Sequence, residues 1–340
     1  MIRKTFKFLR EERPGQAWRQ RFQASWPDTR AWYLQEGEAA RPSRSACAAA
    51  FEQLLPEMKP HWETLCHLAG EGDLADRLLS LYSPPNVFSG CSVAVVEDER
   101  GPLMVRNYDF DPGFTGSTII KSRWSELGVI GLVEGSWGLL DGMNDAGLAI
   151  ALTFGGRKVC GEGFSVILIL RALLESCRTA AQAAEKLMGL RTYLPQNVVV
   201  LDASGAHFTA ITAPDRDTRI WHTDVTTNHQ EEVEWPEHAA SSRTLERFDA
   251  LRDCLAAQAG DLAALESRFA APPVYSPGLG GMTTVYTALY RPAAGEVTFR
   301  WPGRDVRQSF SDFTETQVSV DYAEGEIARV LAEDVGVERS

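Results

Sequence analysis

The chain has 340 residues, long enough to bury a substantial core as one large domain with an appended segment, or as two domains. Its 44% hydrophobic and 24% charged residues are ordinary for a soluble globular protein. A formal net charge of −12 with no long Lys/Arg run argues against nucleic acid and against acidic membranes as partners.

The first residues, Met1 to Phe8, are basic, but Arg10-Glu11-Glu12 interrupts them before any apolar signal region can form. The apolar stretch 164–170 is bounded by Glu162 and Arg171 and is too short to cross a membrane. Cys47, Cys66, Cys91, Cys160, Cys177 and Cys254 show no paired CxxC spacing. Such thiols fit a reduced, cytoplasmic protein better than a disulfide framework or a zinc site.

Residues up to about Tyr82 read as helical and polar, with helical spacing of apolar residues in 46–55 and 73–81. Ser83-Pro84-Pro85-Asn86 breaks that pattern. After Cys91 the period changes to two, and 92–97 and 102–107 read as a hairpin about the turn Asp98-Glu99-Arg100-Gly101. Strands are predicted at 117–121, 129–133 and 147–154, then helices at 165–177 and 180–190. Strands follow at 197–202, 207–212 and 219–222, helices at 242–258 and 261–269, and strands at 283–290 and 296–301. Strand runs separated by helix pairs imply an α+β layered sandwich rather than an alternating βαβ sheet.

Cys91 carries the chemistry of this reading. A cysteine in a strand is most often an inert, buried small hydrophobe. Here, however, it opens a strand directly after Gly90, where a thiol can attack the carbonyl on its own N-terminal side. Cleavage at Gly90-Cys91 would give Cys91 a free α-amine, whose pKa near ~8 suits a general base.

Its surroundings favour chemistry. Gly90-Cys91, the hairpin ending Arg106-Asn107-Tyr108-Asp109-Phe110, the string Asp141-Gly142-Met143-Asn144-Asp145-Ala146-Gly147-Leu148-Ala149, then Thr227-Asn228-His229 and Ser242-Arg243 follow in that order. This series resembles the N-terminal-nucleophile hydrolases, within them the penicillin (isopenicillin N) acyltransferase family and more distantly the choloylglycine hydrolases. The resemblance runs from about Met58 to Trp301. It implies a four-layer αββα sandwich with Cys91 as nucleophile, Asp109 accepting a hydrogen bond from its α-amine, and Arg106 lining the thiol. Asn228 would donate to the oxyanion, and Arg243 would help hold the site together. Where bile-salt enzymes carry an Asn this chain has Phe154, so the Thr153 hydroxyl or a backbone N–H would substitute. The acyltransferase proper has a different polar residue at Arg106, which leaves hydrolase and transferase both open.

The residues add their own constraints. Side chains three apart in a strand point to opposite faces, so Arg106 and Asp109 reach one site only if the chain bends near Tyr108. Asn144 suits a turn and reads as structural, as does His229, because the α-amine would supply the base. The Gly-rich stretch Ser276-Pro277-Gly278-Leu279-Gly280-Gly281 lacks the Lys-Ser/Thr of a phosphate loop and reads as a mobile surface loop.

The expectation is therefore a precursor with a helical pro-segment, 1–90, retained after cleavage over a catalytic domain, 91–340. The enzyme would hydrolyse or transfer an acyl group of a small amide or thioester through an acyl-Cys91 intermediate. It needs no metal or redox cofactor; acyl-CoA is the co-substrate of the transferase version. The two chains of one precursor would stay together, and a homo-oligomer is compatible. The alternative from another class is an uncleaved, non-catalytic relative acting as a binding or assembly protein.

Overall fold

The computed structural model of the protein describes residues 1–257, 261–279, 282–323 and 328–330. The expected helix end at Gln258 and the glycines Gly280 and Gly281 lie outside the described residues.

The chain opens with a strand, not a helix: β1 (Ile2–Arg10). Phe6 and Phe8 point into the core while Lys7 between them is exposed, an alternation of period two that basic residues obscured. Helices α1 (Gln16–Tyr33), α2 (Arg44–Leu54), α3 (Lys59–Ala69) and α4 (Asp73–Leu79) follow. The hairpin β2 (Gly90–Asp98) and β3 (Gly101–Phe110) comes next, followed by β4 (Thr118–Ser122), β5 (Val129–Glu134), β6 (Gly138–Asn144) and β7 (Leu148–Phe154). The middle holds α5 (Val166–Ser176), α6 (Ala180–Met188), β8 (Gln196–Asp202), β9 (His207–Thr212), β10 (Arg219–Trp221) and β11 (Val225–Thr226).

The helix expected over 242–258 is α8 (Thr244–Ala257), and a short helix that was not expected, α7 (Pro236–Ser242), precedes it, with Arg243 in a left-handed conformation (φ 53°) between the two. Then come α9 (Leu262–Phe269), β12 (Pro277–Leu279), β13 (Met282–Arg291), β14 (Glu296–Trp301), β15 (Arg304–Ser309), β16 (Thr316–Tyr322) and the short β17 (Arg329–Val330). Part of the expected surface loop is thus a strand, β12, whose Pro277 pairs with Thr283 of β13.

Among the described residues these strands make two sheets. One has ten strands in the order β10-β9-β8-β7-β6-β5-β4-β1-β16-β17, the other seven, with β11-β2-β3-β13-β14-β15 in line and β12 on β13. Residues of both sheets share one core that includes Cys91, Val93, Tyr108, Ile150 and Val200. Helix α5 packs on β6, and the rings of Phe51 and Phe164 tie the N-terminal helices to that side. On the opposite face Ala94, Leu103 and Val105 pack against Leu251, Leu265 and Phe269 of α8 and α9. The layers are therefore helix, sheet, sheet, helix, an α+β sandwich.

Candidate functional site

Strand alternation sorts the residues around Cys91 into two faces. Cys91 and Val93 point between the sheets, while Ser92 and Ala94 face α8. The register of β2 on β3 sets Cys91 opposite Tyr108, Gly90 opposite Asp109 and Val93 opposite Arg106. Arg106 and Asp109 accordingly lie on opposite faces, and no bend brings them together.

On the inner face Arg106 Nη2 donates to Cys91 Sγ at 3.2 Å. Its Nη1 bonds Asp141, whose carboxylate also accepts from the hydroxyls of Tyr286 (2.6 Å) and Tyr290 (2.8 Å). All four side chains are buried, so this paired, hydrogen-bonded charge fixes the guanidinium against the thiol. Burial pushes the Cys91 thiol pKa up, and Arg106 opposes that shift. Ser89 Oγ lies 3.9 Å from Sγ.

On the outer face the decisive cation is Arg247 of α8, not Arg243. Arg243 sits at the helix break, more than a third exposed, and its side chain pairs with Glu246. One turn further on, Arg247 is buried and donates to Cys91 O at 2.6 Å, to Ser92 Oγ at 2.9 Å and to Asn228 Oδ1. Its Nη1 is 3.5 Å from Asp109 Oδ2, and Asp109 Oδ1 accepts from Thr284 Oγ1 at 2.7 Å. A register shift of β13 on β3 between Thr284 and Tyr286 puts Thr284 opposite Asp109. Burial raises the Asp109 carboxyl pKa against the pull of Arg247 and Thr284, and burial lowers that of Arg247.

Asn228 follows β11 and bridges the bond in question. Its Oδ1 accepts from Cys91 N–H at 2.9 Å, and its Nδ2 donates to Ser89 O at 3.2 Å and Phe154 O at 3.3 Å. In the uncut chain, then, Asn228 and not Asp109 takes the Cys91 nitrogen. Thr153 is committed elsewhere: its hydroxyl donates to Thr227 O at 2.6 Å, and Asn197 Nδ2 donates to Thr227 O and His229 O. Gly156 (φ +65°) lets this loop come close, since a Cβ there would lie 2.3 Å from Asn228 O. Thr153 and Phe154 thus hold Asn228 rather than replace it.

Asn144 donates to Leu174 O and Cys177 O and accepts from Ala146 N and Leu148 N, a structural use of its whole amide. His229 Nδ1 lies within hydrogen-bond distance of the Thr227 and Thr244 hydroxyls. Sequence reasoning missed Arg247, Asp141, Tyr286 and Tyr290. Arg247 was findable, because Thr244, Arg247 and Leu251 lie on one helical stripe, the buried one.

Cys91 itself is fully buried. A surface hollow of about 560 Å³ lies in the N-terminal segment, lined by Glu38, Arg41, Arg44, Asp73 and Arg77 among others, and not at Cys91. No group of three or more metal-ligating side chains, and no helix long and apolar enough to cross a membrane, occurs among the described residues.

A strand-opening cysteine between two sheets that are flanked by helices defines the N-terminal-nucleophile hydrolase fold. The family model described as acyl-coenzyme A:6-aminopenicillanic acid acyl-transferase matches residues 96–305, and the chain belongs to that family. The matched stretch holds Arg106, Asp109, Asn228 and Arg247 and begins just downstream of Cys91.

Among solved structures, a mutant conjugated bile acid hydrolase from Clostridium perfringens is similar at 12% identity with a TM-score of 0.51, covering 73% of this chain and 99% of that one. Penicillin V acylase from Agrobacterium tumefaciens is similar at 15% identity (TM-score 0.47; 73% and 100% covered). The Caenorhabditis elegans ortholog of N-acylethanolamine-hydrolyzing acid amidase is similar at 15% identity (TM-score 0.44; 60% and 93%). No curated protein matches the chain in sequence.

Proposed function

We propose that the chain is a self-processing cysteine enzyme that cuts its own Gly90-Cys91 bond and then moves or hydrolyses the acyl group of a small amide or thioester. The observation that carries this reading is the placement of Cys91. Its thiol rests on Arg106, its N–H on Asn228 and its carbonyl on Arg247, so three buried side chains grip the residue whose peptide bond would break.

In the first step Sγ attacks the Gly90 carbonyl carbon. The C–S bond forms, the C–N bond to Cys91 breaks, and the thiol proton passes to the Cys91 nitrogen, which becomes the α-amine. Water then hydrolyses the thioester, returning the thiol and leaving Gly90 as a carboxylic acid. In turnover the α-amine takes the thiol proton and delivers it to the leaving group. Asn228 Oδ1 is already within reach of that nitrogen. Withdrawal of Ser89 frees a hydrogen of Asn228 Nδ2 for the oxyanion. Arg106 favours the thiolate, and Asp109 is a positioning residue acting through Arg247.

Water as acceptor makes the enzyme an amidase; an amine acceptor with acyl-CoA as donor makes it a transferase. The full burial of Cys91 is what favours the alternative of an uncleaved, non-catalytic binding protein. Mass spectrometry of the purified chain separates the two readings. We expect two associated fragments from the wild type, a whole chain from Cys91→Ala and slow cutting by Cys91→Ser. An intact wild-type chain with full activity would overturn self-processing.

A further inference from the structure

The self-cleavage intermediate is a thioester of Gly90 on Cys91 Sγ, the same linkage that a substrate acyl group makes in turnover. The residues before the cut therefore lie where an acyl group lies, with the Gly90 α-carbon in the place of the acyl α-carbon. A branch on that carbon is crowded: a Cβ would sit 3.0 Å from Asp109 Cβ and 3.3 Å from Met282 Sδ, so these neighbours would have to give way.

Further along, the half-buried ring of Phe88 fills a slot beside Asn228. It meets Phe154 edge-on (centroids 5.0 Å apart, planes at 64°) and Trp235 likewise (5.8 Å, 79°). His238 closes the wall, stacked on Trp235 at 5.1 Å and edge-on to Phe154 at 4.9 Å. The same Phe154 accepts the Asn228 amide through its carbonyl, which joins the slot to the reacting centre. Aromatic walls of this geometry favour another ring over an alkyl end. The Lys158 ammonium lies 5.9 Å over the Trp235 ring, on a π face that tolerates it.

We propose that this slot is the acyl subsite of the mature enzyme, and that the preferred acyl group is a straight chain with an unbranched α-carbon and a terminal aryl ring. The proposal rests on the acyl-transfer reading above. Once the cut end of the pro-segment withdraws, Phe88 leaves the slot to the substrate.

The test uses processed wild-type enzyme and acyl thioesters of N-acetylcysteamine, with acylation of Cys91 followed by mass spectrometry. A phenyl-terminated nonanoyl chain matches the run of backbone atoms from the Gly90 carbonyl to Phe88 Cβ. It should acylate Cys91 about 10-fold or more faster than plain nonanoyl. Its α-methyl derivative should be slower by about 10-fold or more, a comparison that needs no variant. Trp235→Ala should bring the aryl-to-alkyl ratio to about one. Acylation of Cys91 at equal rates by all three probes would overturn the subsite while leaving acyl transfer standing. No acylation by any probe would overturn the Cys91 reading and the subsite with it.

Discussion

Asn228 touches both sides of the Gly90-Cys91 bond, and it is completely buried with every polar atom of its amide bonded. Its truncation should therefore act twice. Turnover of Asn228→Ala should fall by about 10²–10³, the usual loss of one oxyanion donor. Stability should fall too, by about 1–3 kcal/mol, because the partners left behind are buried. Asn144→Ala is the control: it should lose stability and keep turnover per folded molecule. Melting temperature and turnover of the two variants decide the matter, and a normal rate in Asn228→Ala would remove that residue from the site.

The arginine pair offers a second contrast at the same scale. Arg243→Gln should leave stability within about 0.5 kcal/mol and processing unchanged, since its ion pair is exposed. Arg247→Gln strips the buried cation from Asp109 and from the Cys91 carbonyl. It should destabilise the fold by about 3–5 kcal/mol and slow self-cleavage. Equal behaviour of the two variants in denaturant melts and processing gels would contradict this division.

At the scale of elements, the break between α7 and α8 decides which arginine enters. The left-handed Arg243 ends α7 and lets α8 start at a new angle, and Arg247 is then one turn inside. Helix α7 also carries His238, whose ring nitrogens have no hydrogen-bond partner among the described residues. Burial, with help from Arg247, lowers its pKa from 6.5 to about 4. The unfolded chain thus takes the proton first as the pH falls. The neutral ring's contribution to stability is complete above about pH 6.5 and is lost as the pH drops toward about 4. His238→Phe should abolish that part of the acid sensitivity, visible as a flatter melting temperature between those limits. An unchanged acid slope would contradict it.

For the whole molecule, the N-terminal segment is part of the framework. β1 lies inside the ten-stranded sheet, antiparallel to β16 and parallel to β4, with Phe6 and Phe8 fully buried. Each such ring contributes about 1.5–3 kcal/mol, and removing the strand exposes two sheet edges. A chain beginning at Cys91 should be insoluble or misfolded. After processing, residues 1–90 should stay with the rest until denaturant is added. A soluble, active protein from Cys91 onward would show the segment dispensable.

The sequence alone determined the layered α+β class, the β2–β3 hairpin, the cysteine that opens it and the order of polar motifs behind it. Strand alternation and turn residues are local, so one stretch of chain suffices to specify them. The tertiary structure decided what those residues meet. Arg106 meets the Cys91 thiol on one face and Asp109 meets Arg247 on the other, because residues three apart in β3 point to opposite sides of the sheet. Asp141, Tyr286 and Tyr290 converge on Arg106 from two sheets, a meeting that no local spacing encodes. β1 could have been read from Phe6-Lys7-Phe8, yet its place between β4 and β16 depends on a partner more than 300 residues away in the chain. Such pairings follow from the burial of complete faces, which only the assembled layers define.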